Sequence, residues 1–378
     1  MRVVHVVEAL SPRDGRGRVA MEVAKEQCRR GHEVGFVTSC GPGMASLDVG
    51  RSLGSGPRWR VPLPRNPWSV RTALFALGAG LRARQASGWA DVIHAHAPCW
   101  GPVNVATCHG LHRAALARAA SEPALAEALG IRAGDLRRVR WLLPLLETQY
   151  RDAKIVALTS RAAGEFEVHL GVESSRLHVI GNGVDVETFR PAAARWAEEP
   201  APTAGGALRL LFVGHDFRRK GLPLVLAALP DLPGVSLQVV GDDPHDAEQM
   251  ERARATVRQT GLGERVEFLG SVDGLEILYR DCDALVLPSA YEGFALSVLE
   301  AMASGVAVIG SPAAIPESIR DGAWILPERP SVGDLVALLG ELVGRPRAVR
   351  DRGRAARRVA EQNSWSQVVD ALDRLYES

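Results

Sequence analysis

DALVLPSAYEGFALSVLEAMASGVAVIG, residues Asp283–Gly310, reads as strand, loop, helix, turn and strand. Ala284–Leu287 is a short apolar run suited to a buried parallel strand, and Pro288-Ser289 ends it. Leu296–Ser304 sets apolar residues at helical spacing, Gly305 closes the helix, and Val306–Ile309 returns as the next strand. The loop Tyr291-Glu292-Gly293-Phe294 thus lies at a strand's carboxyl end and a helix's amino end, where free N–H groups favour an anion. In an open parallel sheet, ligands bind on that rim. Two carboxylates mark it. Glu292 is in the loop, and Glu300, four residues after Leu296, shares an otherwise apolar helix face and needs a fixed partner there. Taken alone, the pair also fits a capping glutamate and a structural ion pair, so other stretches must decide.

The βα alternation continues on both sides. Leu208–Val213 is a strand, and Gly214–Gly221 (GHDFRRKG) is a loop with three consecutive basic residues. Leu222–Leu229 is a helix, Ser236–Val240 a strand, Gly241-Asp242-Asp243 a turn, Ala247–Thr260 a helix and Val266–Leu269 a strand. Helices over 331–344, 346–360 and 364–377 finish the chain. The Pro-, Ala- and Gly-rich stretch Arg190–Gly206 is a linker to an earlier βα series. That series opens with Val3–Val7 as a strand, Ser11–Gly17 as a glycine loop, Val19–Arg30 as an amphipathic helix and Val34–Thr38 as a strand. Residues 41–70 read as irregular. Asn104–Cys108 is a strand followed by His109-Gly110, which aims a histidine at a cleft, although His is more often a merely structural residue there.

A chain of 378 residues, 46% hydrophobic and 24% charged, fits two globular domains. A net charge of +1 gives no reason to expect a nucleic-acid partner. The five cysteines, Cys28, Cys40, Cys99, Cys108 and Cys282, lack metal-ligand spacing and read as free thiols in a reducing compartment. No leader and no membrane span is read, so a cytoplasmic protein is expected. Residues 137–146 set Arg137, Arg138 and Arg140 beside Trp141 and four leucines. They offer either a peripheral membrane contact or a domain helix with a solvated basic edge, and the second is the expectation.

In the second half, Arg218, Arg219 and Lys220 before a helix suit a diphosphate, Gly241 permits close approach, and a carboxylate suits a vicinal diol such as ribose. Together they describe a nucleotide-diphosphate site. Asp281-Cys282-Asp283 precedes its strand and reads as structural, so neither metal nor cofactor is expected.

These residues resemble the GT-B-fold glycosyltransferases of family 4, the retaining group that uses nucleotide sugars. RGHEV at Arg30–Val34, DVIHAH at Asp91–His96, the His-Gly pair, VIGNGVDVETFRP at Val179–Pro191, FVGHDFRRKG, VEFLGSVD and EGFALSVLEAMASG carry the likeness. The resemblance implies two Rossmann-like doubly wound α/β domains facing across a cleft. Residues 1–190 would bind the acceptor and 207–360 the nucleotide sugar, with 361–378 a tail helix crossing back to the first domain. It implies that Lys220 and an adjacent Arg, 218 or 219, hold the diphosphate with the Gly293 and Phe294 N–H groups. Glu300 would hold the ribose, Val272 would lie by the base, Glu292 and His109 would meet the donor sugar, and Gly15 would admit the diphosphate. The family's Arg after the first Val-Gly is His215 here, and its first loop glycine is Asp14. The expected reaction moves a sugar from a UDP- or GDP-sugar to a hydroxyl of a glycan, lipid or small molecule. It would proceed by front-face attack assisted by the leaving diphosphate, without metal. The rivals are a nucleotide-sugar epimerase on the same fold and a non-catalytic sugar-nucleotide-binding subunit.

Overall fold

The structure is a computed structural model that describes residues 1–12, 14–40, 53, 56–63, 68–131, 142–192, 207–242 and 247–378. The chain divides into two compact units. One comprises Met1–Arg118, Arg132–Asn182 and Trp365–Ser378, and the other Ala119–Ile131 and Gly183–Ser364.

The first unit is built on a parallel sheet of β1 (Arg2–Val6), β2 (Glu33–Cys40), β3 (Arg58–Pro62), β4 (Val92–Ala95), β5 (Val105–Cys108), β6 (Lys154–Ala157) and β7 (Leu177–Val179). Their order is β3-β2-β1-β4-β5-β6-β7. The central strands are short buried runs, as strands covered by helices on both faces must be. Helix α1 (Gly15–Arg29) follows β1, and α2 (Trp68–Ala86) follows β3. Asp14 is the N-cap of α1, its carboxylate accepting from the Gly17 N–H at 2.7 Å, so the helix starts four residues earlier than the expected Val19. Strand β3 lies inside the stretch expected to be irregular. Its alternating RWRVP pairs with β2 from Arg58 to Pro62 despite flanking Gly and Pro.

Helices α3 (His112–Ser121) and α4 (Pro123–Ala128) come next, and α5 (Ser160–Leu170) separates β6 from β7. Residues 142–146 are helical, with Leu143 and Leu146 buried in the core and Leu142 and Leu145 partly so. Residues 137–141 lie outside the described residues, as does most of the expected linker.

The second unit contains β8 (Leu208–Val213), β9 (Val235–Val240), β10 (Val266–Gly270), β11 (Ala284–Leu287), β12 (Ala307–Gly310) and β13 (Ala323–Ile325), in the order β10-β9-β8-β11-β12-β13. Its helices are α6 (Phe217–Lys220), α7 (Leu222–Ala228), α8 (Ala247–Gln259), α9 (Leu275–Asp281), α10 (Leu296–Ala303), α11 (Val332–Leu342) and α12 (Pro346–Glu361). The Asp283 carboxylate accepts from the Arg209 N–H at 2.8 Å and its guanidinium at 3.0 and 3.1 Å, tying β8 to β11. That is the structural duty expected of Asp281-Cys282-Asp283.

The last helix, α13 (Trp365–Glu377), belongs to the first unit. Arg30 holds it by donating to Ser366 O at 2.6 Å and Asp370 at 2.5 Å, and Lys154 donates to Leu375 O at 3.0 Å. Both sheets reverse strand order beside their first strand, at β1/β4 and at β8/β11. Loops at such a reversal splay apart and leave a crevice for a ligand.

Candidate active site

At the β8/β11 reversal the loops after the two strands carry most of the residues singled out from the sequence. After β8 the chain reaches Gly214, whose φ of +152° lies in the region that favours glycine. A Cβ there would fall 2.3 Å from the Lys220 Cδ, so the glycine leaves room for the lysine to fold back. Asp216 then takes φ +57°, a conformation Asp tolerates better than most residues. It caps α6, a helical turn formed where an open loop was expected. Its carboxylate also takes a charge-assisted bond from Arg219 Nε at 2.7 Å.

This turn delivers two cations to one carboxylate. Lys220 Nζ lies 2.8 Å and Arg219 Nη1 3.0 Å from Glu292 Oε1, and Ser289 Oγ donates to the same oxygen at 3.2 Å. Arg219 Nη1 also donates to Tyr291 O at 2.6 Å, pinning the loop after β11. Burial pushes the Glu292 carboxyl up, but the Lys220 and Arg219 charges outweigh it and hold the pKa at about 2. Arg219, Lys220, Glu292 and Asp216 therefore form a balanced group of two positive and two negative charges.

Gly293 and buried Phe294 follow directly and lead into α10. The N-cap of α10 is Ala295, which offers no side chain to the first turn; the Val298 N–H turns back to the Ala295 carbonyl at 3.1 Å, and the N–H groups ahead of it receive no side-chain cap. One turn on, Glu300 is 3% exposed, and the Tyr279 hydroxyl lies 3.1 Å from its Oε2. Val272 is half-buried just past β10. Arg218 does not join this group. Its guanidinium donates to Glu127 O at 3.3 Å, and its N–H to Gln249 Oε1 at 2.7 Å. Between the two arginines proposed as the second cation, the structure brings Arg219 to Lys220. His215 turns its Nδ1 to the Asp242 carbonyl. Asp216 was missed by the sequence reading, although an acidic residue two positions before an Arg-Arg-Lys run at a helix start is a legible capping signal.

In the first unit His109 follows β5, and its Nε2 lies 3.3 Å from His96 Nδ1. Burial and the Arg16 charge push its pKa down to about 3, so the ring is neutral. Gly15 is the first residue of α1, and a Cβ there would meet nothing within 4 Å. Gly17 is the tightly packed one, since its Cβ would fall 2.2 Å from Ala9 O. Protein packing explains Gly17 and leaves Gly15 unexplained. Among the described residues, the group that could hold a metal is His5, His94 and His96. Their ring nitrogens already have hydrogen-bonding partners within the protein.

Two family models cover most of the chain. One, described as Glycosyltransferase Family 4, matches residues 13–188, and the other, Glycosyl transferases group 1, matches residues 207–377. D-inositol 3-phosphate glycosyltransferases of Mycobacterium bovis and Mycobacterium tuberculosis are 30% identical over 380 residues, spanning 93% of this chain and 76% of theirs. In fold the chain is similar to a sucrose-phosphate synthase from Thermosynechococcus elongatus (TM-score 0.77, 20% identity, 100% of this chain and 98% of that one). It is likewise similar to WaaG, a glycosyltransferase involved in lipopolysaccharide biosynthesis (0.72, 20%, 98% of each), and to Anabaena Alr3699/HepE in complex with UDP and glucose (0.73, 16%, 100% of each). The chain belongs to glycosyltransferase family 4, with the GT-B fold. It is a retaining glycosyltransferase that draws on a nucleotide-sugar donor.

Proposed function

We propose that the donor is a UDP- or GDP-sugar held at the β8/β11 reversal and that the acceptor is a hydroxyl of a glycan, a lipid or a small molecule. The observation that carries the donor site is the Lys220–Arg219–Glu292 group beside the uncapped amino end of α10. A diphosphate brings negative charge that competes with Glu292 for Lys220 and Arg219, and the Gly293 and Phe294 N–H groups add uncharged donors. Glu292, once relieved of part of that pairing, is free to accept from a hydroxyl of the donor sugar. Glu300 takes the ribose diol, and the chain at Val272 lies by the base. Fixed cations that meet the leaving diphosphate stabilise the charge that develops as the glycosidic bond breaks. His109 meets the donor sugar, and Gly15 makes room for the diphosphate.

Thermal stabilisation across UDP, GDP, ADP and TDP, repeated with Glu300→Ala and Lys220→Ala, tests this site. Stabilisation by one nucleotide that is weakened in both variants is the expected result. Stabilisation equal in all three proteins would reject the site. The relatives' D-inositol 3-phosphate puts a phosphorylated cyclitol in the acceptor panel, beside a glycan and a lipid. If the acceptor is a lipid, the 137–146 segment is the candidate for a membrane contact, through Arg137, Arg138 and Arg140 rather than through the buried Leu143 and Leu146. Liposome flotation unchanged by reversing those three charges would reject that contact.

A further inference from the structure

Four histidines and three other polar side chains, of Gln27, Tyr376 and Thr107, meet inside the first unit, at the β1/β4 reversal. His5 stands on β1, His94 on β4, His96 just past it and His109 just past β5, while Gln27 comes from α1 and Tyr376 from α13. His5, Gln27, His94 and His96 are at most 3% exposed. Their contacts form one connected path. Gln27 Oε1 lies 2.8 Å from His5 Nε2, His5 Nδ1 lies 3.1 Å from His96 Nε2, and His96 Nδ1 lies 3.3 Å from His109 Nε2. On the other side, Gln27 Nε2 donates to the Tyr376 hydroxyl at 3.3 Å. That hydroxyl is 2.7 Å from His94 Nδ1, and His94 Nε2 is 2.7 Å from Thr107 Oγ1.

The protons on this path are not independent. A carboxamide oxygen only accepts, so His5 must donate to it from Nε2. Burial holds His5 near pKa 4 and His96 well below its ordinary range, so each ring is neutral and carries a single proton. His5 Nδ1 is then bare and accepts from His96 Nε2. His96 Nδ1 is bare in turn and accepts from His109 Nε2. The branch runs the same way: the Tyr376 proton goes to His94 Nδ1, and His94 Nε2 donates to Thr107. Turning the Gln27 carboxamide over would reverse every proton along the path, so one amide on α1 governs the tautomer of a histidine 82 positions away in the sequence.

We propose that Gln27, His5 and His96 are positioning residues that hold His109 as its Nε2-protonated tautomer and leave Nδ1 as a hydrogen-bond acceptor for a hydroxyl of the donor sugar. This rests on the reading that His109 meets that sugar. An Nδ1 proton would turn the acceptor into a donor and oppose a sugar hydroxyl that donates. Tyr376 makes the tail helix part of the same device.

Long-range proton–nitrogen correlation spectra of protein carrying ¹⁵N-labelled histidine, without substrate at pH 7.5, read the tautomer directly, with His109→Asn identifying the signal. The expected result is His109 protonated on Nε2 alone. Gln27→Met, which removes the accepting oxygen at similar volume, should give a mixture, whereas Cys28→Ala, a packing change on the same helix, should leave the tautomer as it was. An Nδ1-protonated His109 in the native protein would overturn the proposal without any variant, as would a tautomer unmoved in folded Gln27→Met. With a donor, Gln27→Met should lower kcat about tenfold with KM little changed, the effect of one lost hydrogen bond. A shifted tautomer with native kcat would leave the relay standing and sink the assignment of His109 to the sugar.

Discussion

Two polar clusters are buried at equivalent points of the two sheets, and they solve the same problem in opposite ways. Beside β8 and β11, Glu292 keeps its charge because Arg219 and Lys220 supply opposite ones within 3.0 Å. Beside β1 and β4, His5, His94 and His96 keep no charge and share protons with their neighbours instead. Burying an ion demands a partner, whereas burying a neutral imidazole demands a donor on one side and an acceptor on the other. A charged group of this kind can trade partners with an incoming anion. A neutral one can fix proton positions but offers a diphosphate no charge to pair with. The difference matches the division proposed above between holding a donor and orienting it.

Acid should separate the two clusters more than any substitution. A histidine whose folded pKa lies below its unfolded one contributes stability that is full above pH 6.5 and is lost as pH falls toward the folded value. At pH 5, His5 alone costs about 2 kcal/mol, and the lowered pKa values of its neighbours act in the same direction. Glu292 behaves otherwise. Its folded pKa of about 2 lies below the ordinary 4.5, so its contribution persists above 4.5 and fades only beneath it. Hydrogen exchange between pH 7 and 4 should therefore show β1, β4 and β5 losing protection while β8 and β11 keep theirs. Loss in the second sheet first would break the contrast.

Lys220→Ala tests the charged cluster by chemistry rather than stability. Removing one fixed cation from a leaving diphosphate should lower turnover about 10²–10³-fold, or ~3–4 kcal/mol of transition-state stabilisation. Steady-state kinetics with the identified donor would check this, and a fall below tenfold would mean that the cluster is only a structural ion group. Asp216→Ala should have a smaller effect. It removes the cap of α6, the anchor of Arg219 and the residue best suited to φ +57°, together worth about 1–2 kcal/mol in a denaturant titration. Asp216→Asn keeps the cap and the backbone preference, so its loss should be well under half of that.

The charged cluster was far more legible in the sequence than the neutral one, and the reason is distance along the chain. Arg219, Lys220 and Glu292 stand in two short loops whose glycines and helix starts are visible locally, and the Asp283–Gly310 stretch fixes strand, loop and helix within a residue or two. Asp216 is legible as a cap, since it stands two residues before the Arg-Arg-Lys run. The histidine path needs the β1–β4 register, which pairs His5 with His94, the return of α13 to bring Tyr376, and the proximity of α1 to β1. No local pattern carries those facts. His94 and His96, two apart in extended chain at the end of β4 and so facing the same way, are the available hint. Strand β3 was lost because Gly and Pro on either side masked a short alternating run.

Gly15→Ala is the mildest change and sharpens the comparison at the two loop glycines. Gly214 has a reason inside the protein, because its Cβ would strike the Lys220 side chain. Gly15 has none, for its Cβ would meet nothing within 4 Å and the position opens a helix, where Ala is a good former. Stability should thus change by less than about 0.5 kcal/mol, or improve. If a diphosphate approaches that backbone, the same variant should bind the donor about tenfold more weakly while melting like the native protein. Calorimetry of the variant with the intact donor separates the two effects. Unchanged donor affinity would remove Gly15 from the site, and it would leave His109 as the first unit's remaining candidate for contact with the donor.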